Sequence, residues 1–415
     1  MYVRQMGARS TYSRIYRLNQ MTKPLEGIRV VEFGNFIAGP FCGMLLADMG
    51  AEVIKIEPLT GDLARAIPPI IDGKSAAFIT LNRNKKSLAL DLKSTHGRSL
   101  ALEILKTANA IIENNRPGVM QRLGLGEKDV KKINNKVVYT SVSGFGQTGE
   151  LKNRAGINLI IEALSGTLSV MGEKGDIPPR PGLQTADILG AMFATYSTLA
   201  GLIGQIKHNQ GMIADVSLIE ASIASAVWET TEYLSSGIIP EQLGHSHRAS
   251  APYQLFETND KRYIAIGAPS DAHFKKLMDI LDLNDLSENP KFISYSSRKE
   301  NEKDLVPVVA NKIKDWDSSD LEIKLTESGI PCGCVRNYKE ALNNPHSIQR
   351  QLVTEITDDQ GIQIKTIRNP VLINNKPIKI DSLAPELGEH SFEILSQVGV
   401  DKNVFNKLVS DGITI

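Results

Sequence analysis

Short apolar runs alternating with helical-period segments set the reading of this chain. Residues 28–33 form a compact apolar run that predicts a strand, and residues 38–49 follow with helical spacing. Pro40 suits the first turn of that helix and Gly50 its end. Residues 52–57 predict the next strand, so the three elements make a βαβ unit with parallel strands and a right-handed crossover. Residues 87–93 alternate with period two, 97–108 read as a helix, and 110–114 and 136–142 as further strands. The predicted class is α/β: a large doubly wound, Rossmann-like domain plus a smaller α/β domain. In the second block, strands are expected over 253–257 and 262–266 and helices over 272–281 and 304–315. Residues 368–380 look strand-like despite Pro370 and Pro377, and a helix is expected near 393–398. The expected division is a basic extension over 1–23, a large domain over 24–217, a small domain over 218–330, and a segment over 331–415 that returns to the large domain.

One apolar run differs from the rest. From Ile188 to Ile206 the chain carries no charge, nearly enough to span a bilayer. Gly190, Gly201 and Gly204, the hydroxyls of Thr195, Tyr196, Ser197 and Thr198, and the lack of a second such segment favour a helix buried inside a protein, with no membrane partner. Asp187, at its mouth, is the single charge between Arg180 and Lys207. A carboxylate there is costly to desolvate unless partnered. It reads either as the N-cap of the helix or as a reactive group in a water-poor site.

At 415 residues the chain exceeds the size at which one core usually keeps growing. Lys plus Arg equals Asp plus Glu, 47 against 47, so no global field draws it to nucleic acid or an acidic membrane. Three cysteines, Cys42, Cys332 and Cys334, point to a reducing compartment, and Cys332-Gly-Cys334 is too sparse for a zinc site. No metal is expected. Residues 1–23 hold Arg4, Arg9, Arg14, Arg17 and Lys23 with no acid. They fit a mitochondrial transit peptide, a basic tail, or an extension ahead of a true start at Met21. The expected location is cytoplasmic, or the mitochondrial matrix in the transit-peptide case.

In an open parallel sheet, ligands gather at the carboxyl ends of the strands. The turn after the first strand, residues 34–40, is small-residue rich but is not a dinucleotide fingerprint. The segment 113–118 supplies Arg116, with Arg122 beyond it, and 143–149 supplies a second glycine-rich turn. Lys85, Lys86 and Lys93 flank another strand, so several cations fall near one sheet edge, as a polyphosphate ligand requires.

These segments carry a resemblance. Residues 24–33, Ala38-Gly-Pro40, residues 48–57, 82–87, 113–118, 143–149 and 329–333, and Leu387-Gly-Glu-His390 are together similar to the class III CoA-transferase family, in family order over about 24–395. The resemblance implies an interlocked homodimer with CoA held mainly by the large domain. It places the nucleophilic aspartate on Asp187 and the CoA-contacting positions on Phe36, Ile37, Ala38, Leu90, Lys93, Asn114, Asn115, Arg116 and Arg122, with Ser143 and Phe145 nearby. Two positions depart from the family pattern. Pro58 stands where many members have an arginine, with Arg83 and Arg65 as candidate replacements, and Asn158 stands where an aspartate is common.

The implied reaction moves CoA from an acyl-CoA, succinyl-CoA above all, to a carboxylic acid such as a dicarboxylate. It runs through an aspartyl-CoA thioester and needs no resident cofactor, the CoA thioester being substrate. Backbone N–H groups of the loop 244–251 are candidates to stabilise the oxyanions, and His245, His247 and Arg248 to bind a free substrate carboxylate; a polar surface loop is the competing reading. A 2-methylacyl-CoA racemase of the same fold needs a histidine after the Arg154-Ala-Gly156 turn, where this chain has Ile157. A non-catalytic CoA-binding protein is the remaining alternative, disfavoured by Asp187.

Overall fold

The computed structural model describes residues 23–357, 361 and 363–415. The basic extension, apart from Lys23, lies outside them, and with it the transit-peptide and Met21 readings. The chain forms two compact units. Of the described residues, one gathers those up to Ser165, then Pro181–Val227 and those from Gln351 to Ile415; the other gathers Gly166–Arg180 and Trp228–Arg350.

The first unit is built on β1 (Arg29–Phe33), α1 (Ala38–Asp48), β2 (Glu52–Glu57), α2 (Ala76–Asn82), β3 (Lys85–Ala89), α3 (Thr95–Leu105), β4 (Ala110–Glu113), β5 (Val138–Ser143), α4 (Asn158–Leu164), α5 (Thr185–His208) and β6 (Met212–Ser217). The six strands run parallel in the order β3-β2-β1-β4-β5-β6. The order reverses between β1 and β4, so the crevice at their carboxyl ends is where this topology places ligands. Both sheet faces are covered, which is why the strands do not alternate between apolar and polar positions, and the charges they carry at Glu32, Lys55 and Lys85 are buried. Val30, Val53 and Ile112 pack with Leu46, Ala191, Ala194 and Leu202 on one face. Val31, Ile54, Leu88 and Ile111 pack on the other with Ile104 and with Ile394, Leu395, Phe405, Leu408 and Ile413 from the end of the chain. Two hydrogen bonds secure that last segment: Asp91 N–H donates to Ile413 O (2.9 Å) and the Thr414 hydroxyl donates to Ala89 O (2.7 Å).

β3 starts and ends earlier than its period-two alternation suggested. Ser94 caps α3 by accepting from Gly97 N–H (2.9 Å), and the turn feeding that cap ends the strand at Ala89. Residues 368–380 hold only the two-residue strands Leu372–Ile373 and Lys376–Pro377, since proline supplies no ladder donor. The regular hairpin lies just before them, Val353–Thr357 against Gln363–Ile367. Helix α5 is long and apolar enough to cross a membrane by length and composition, yet it packs one face on the sheet. The expected burial inside a protein holds for that face alone, since Met192, Tyr196, Ile203 and Ile206 are exposed.

The second unit has a three-stranded antiparallel sheet, with Tyr263–Gly267 between Tyr253–Glu257 and Cys332–Cys334. Its core combines Phe256, Ile264 and Ile266 with Phe274, Leu277, Leu305, Val309 and Leu321 from the helices that follow. Because Cys332–Cys334 completes that sheet, the unit continues past residue 330, as far as Arg350.

Candidate active site

Asp187 lies inside the first turn of α5, not ahead of it. The N-cap position is Gln184, which makes no side-chain capping bond. Capping comes instead from α4: Thr185 N–H donates to Glu162 Oε1 (3.2 Å), while Ala186 N–H (3.0 Å) and Asp187 N–H (3.3 Å) donate to Asn158 Oδ1. The Thr185 hydroxyl also donates to Glu162 Oε1. Asn158 and Glu162 are one turn apart, so both project from the same side of α4. The N-cap reading of Asp187 is thereby corrected. Its neighbours satisfy the free N–H groups, and its carboxylate is left without a capping task. Asp187 is half-buried, and burial first, then the charge of Glu162, push its carboxyl up to about 6. Ile157, which follows the Arg-Ala-Gly turn, offers no group able to abstract a proton.

The turn over 34–40 is fastened from below and from the side. Asn35 N–H donates to Asn114 Oδ1 (2.8 Å) and Asn114 Nδ2 donates back to Asn35 O (2.9 Å). Asn115 Nδ2 donates to Phe33 O (3.1 Å), which ties the ends of β1 and β4 across the point where strand order reverses. Lys55 Nζ donates to Gly34 O (2.6 Å) and Lys85 Nζ to Pro40 O (2.8 Å). These lysines belong to a fully buried charge cluster, with Glu32 between Lys55 (3.1 Å) and Lys85 (2.7 Å), and Asp62 on Lys55 (3.0 Å). Burial opposes the charge of Glu32, but Lys85 and Lys55 outweigh it and hold the carboxyl below its ordinary value. Burial pushes Lys85 down to about 8. A Cβ at Gly43 would lie 1.9 Å from Glu32 Oε2, so only glycine fits beside the cluster. Above it, Phe36 takes a left-handed conformation (φ 59°) and is exposed, held by its N–H to Asp62 Oδ1 (3.3 Å).

The other expected CoA contacts fall into three groups. Ile37 and Ala38 open α1 beside Phe36. Lys93, Arg116 and Arg122 are exposed after the carboxyl ends of β3 and β4. Leu90 has no exposed surface; its side chain lies in the core, so a side-chain contact with CoA from this position is ruled out. Ser143, whose buried hydroxyl has no hydrogen-bond partner among the described residues, ends β5, and half-buried Phe145 follows it. Of the two replacements for the arginine missing at Pro58, Arg83 is excluded. It is buried in a two-pronged pair with Asp48 (3.0 and 2.7 Å) and donates to Ile367 O. Arg65 grips Glu57 (2.8 and 2.7 Å), stacks over Phe78 and keeps part of its surface open. Lys85 and Lys86 leave the set of ligand cations as well, since Lys86 pairs with Glu52 and Glu393.

In the second unit, Arg248 is held by Glu232 (3.0 Å) and Glu229 (3.5 Å) on the helix Val227–Ser236. Its charge is neutralised there, which removes the reason to expect it as the anchor of a substrate carboxylate. His247 stacks on Tyr253 and accepts Ala249 N–H at Nδ1 (3.1 Å), leaving Nε2 as a hydrogen-bond donor. His245 is exposed, 3.4 Å from Glu173. A cavity of about 550 Å³ opens beside this loop, lined by Trp228, Glu232, His247 and Arg248 among others. Gly244, Ser246, His247 and Ala249 already direct their N–H groups to acceptors within the unit, so these four are not free oxyanion donors.

Glu162 and Thr185 did not stand out in the sequence, and Asn158 stood out only as a departure. The available signal was an i, i+4 pair of polar residues on an otherwise apolar helix. CoA-transferase family III matches this chain over residues 25–391. The chain is 32% identical over 394 residues to succinyl-CoA:glutarate CoA-transferase of Homo sapiens, spanning 94% of this chain and 90% of that protein. It is 33% identical over 378 residues to succinyl-CoA–D-citramalate CoA-transferase of Chloroflexus aurantiacus, spanning 91% and 94%. A crystal structure of a CaiB/BaiF family protein from Brucella suis superposes with a TM-score of 0.80 at 30% identity, covering 91% of this chain and 99% of that one. The mixed α/β architecture around a parallel sheet is shared with that structure, and the chain belongs to CoA-transferase family III, an enzyme that transfers CoA.

Proposed function

We propose that this enzyme moves CoA from succinyl-CoA to a dicarboxylic acid through an aspartyl-CoA thioester on Asp187. The observation that carries the mechanism is the capping of α5 by Asn158 and Glu162, which leaves a half-buried carboxylate with raised basicity and no structural task. Donor and acceptor classes rest on the relatives, whose names pair succinyl-CoA with glutarate and with D-citramalate. A carboxylate oxygen of Asp187 attacks the thioester carbon; the C–S bond breaks, giving a mixed anhydride and CoA thiolate. The thiolate attacks the aspartyl carbonyl and expels succinate, leaving the enzyme thioester. An acceptor carboxylate then attacks that carbonyl, releasing thiolate, which takes the acyl group from the second anhydride and frees Asp187. Every bond broken is matched by one formed, with CoA as substrate and no resident cofactor in the scheme.

The fastened turn with Phe36, Ile37 and Ala38, together with Asn114 and Asn115 and the exposed cations Lys93, Arg116 and Arg122, is assigned to CoA, with Arg65 contributing only the edge its pair with Glu57 leaves open. The exposed apolar side chains of α5, with Trp228, Leu234 and Ile239, support a homodimer that covers them; sedimentation at micromolar concentration tests this, a monomer refuting it. For the chemistry, succinyl-CoA should place a CoA-thioester mass on the peptide bearing Asp187, and Asp187→Ala should abolish exchange. Wild-type exchange in that variant overturns the mechanism. A panel of mono- and dicarboxylates assayed against succinyl-CoA identifies the acceptor, and exclusive use of monocarboxylates refutes the dicarboxylate assignment.

A further inference from the structure

The platform under Asp187 contains more charge than capping demands. Glu162 is 1% exposed. Its Oε1 takes both the N–H and the hydroxyl of Thr185, while Oε2 is buried without a hydrogen-bond partner among the described residues. A neutral serine, threonine or asparagine caps a helix equally well and avoids desolvating a carboxylate. Asn158, one turn away, does so for the next two N–H groups.

We propose that Glu162 is a positioning residue of the transfer reaction, anchored through Thr185 so that it holds the turn bearing Asp187 and keeps a fixed carboxylate behind the nucleophile. This rests on the assignment of Asp187 as nucleophile. The chemical benefit is basicity: a carboxylate facing a second buried carboxylate binds electrophiles more strongly than an isolated one, and is protonated at higher pH. Burial is the larger contribution to the raised value of Asp187 and Glu162 the second. The other titratable groups on elements packed against α5 have their own roles. Asp48 pairs with Arg83, Asp215 accepts Gln147 N–H, and the Tyr139 phenol donates to Leu125 O. Burial pushes the Cys42 thiol up to about 12, so it stays neutral. Glu220 lies in the first turn of the helix Leu218–Ser225. Among the described residues, Glu162 is the charge that acts on Asp187.

Glu162→Gln preserves the shape and an acceptor for Thr185 but removes the charge. The readout is the rate at which succinyl-CoA loads CoA onto Asp187, followed by mass spectrometry from about pH 4 to 8. In the native enzyme the rate should fall with an acid midpoint near 6. In Glu162→Gln the midpoint should move below that value yet stay above the ordinary 3.8, because burial persists, and the plateau should drop several-fold. Asn158→Asp adds a carboxylate on the same side of α4 and should move the midpoint the opposite way. Unmoved midpoints in both variants, with Asp187 still loading, overturn the role of Glu162 while the nucleophile stands. Failure of the native enzyme to load Asp187 overturns both. Loss of fold in Glu162→Gln, read by thermal melting, leaves the Asn158→Asp shift to decide.

Discussion

Lys55 is the central member of the buried cluster, and replacing it with methionine isolates what the cluster does. Methionine matches the length of the aliphatic stem but supplies no charge and no donor. The substitution leaves Glu32 and Asp62, previously 3.1 and 3.0 Å from Nζ, with Lys85 as the remaining lysine, and strips Gly34 O of its 2.6 Å donor. Removing one partner from a buried ion pair costs about 3–5 kcal/mol, because the group left behind stays desolvated. At roughly 2–4 °C per kcal/mol for a large domain, the melting temperature should fall by at least about 6 °C. Differential scanning calorimetry with and without an acyl-CoA reads the fold; initial rates at varied succinyl-CoA read the turn, where KM should rise because Gly34 is no longer held. Lys55→Met combined with Glu32→Leu leaves Lys85 facing Asp62 and balances the charge again, so the double variant should recover part of the loss. A single variant within about 1 kcal/mol of native, or a double variant as unstable as the sum of its singles, would refute the argument that charge balance holds this turn.

Glu113 gives a pH test. Burial raises its carboxyl from 4.5 to about 7, so the native state binds that proton more tightly than the unfolded chain does. Stability from this group is present below pH 4.5 and lost as pH rises through 7, a span worth roughly 3 kcal/mol. Glu113→Gln should therefore gain in urea midpoint over native enzyme at about pH 8 and much less near pH 5, and an equal difference at both values contradicts the assignment. Gly43→Ala places a methyl 1.9 Å from Glu32 Oε2 and should destabilise by at least about 1–3 kcal/mol in chemical denaturation; a neutral outcome would show that the cluster yields easily. Arg65→Met should raise KM for acyl-CoA with kcat nearly unchanged, alongside a loss of stability from leaving buried Glu57 without its two-pronged partner. Arg83→Met should instead cost about 3–5 kcal/mol of stability by stranding Asp48 and leave KM in place; the reverse pattern would exchange their assignments.

The alternation of strands and helices from β1 to β5 was legible because parallel strands covered on both faces leave apolar runs that nothing else explains. The end of β3 was not, since Ser94 competes for the backbone at a position where alternation continues on paper. Asp187 was legible as a residue needing an explanation, but its freedom from capping depends on Asn158 and Glu162, distant in sequence and joined to it only by the fold. Lys85 read as one of several cations available to a polyphosphate at a sheet edge, and Lys55 did not stand out. Their burial follows from Glu32 lying beside Lys55 in the register of β1 and β2, which no local pattern reveals. Arg248 was misjudged for the same reason. Its partners Glu229 and Glu232 sit on a preceding helix, and a cation looks free until its neighbours are known.

The last segment of the chain completes the core that the first strands begin. During synthesis the second unit is whole once Arg350 has left the ribosome, while Val31 and Ile54 still wait for Phe405, Leu408 and Ile413. The order of translation is therefore the reverse of the order of completion: the inserted unit can close first, and the large unit last. A nonsense codon late in the message would thus strike the earliest strands, leaving their apolar face open to aggregation beside an otherwise finished second unit.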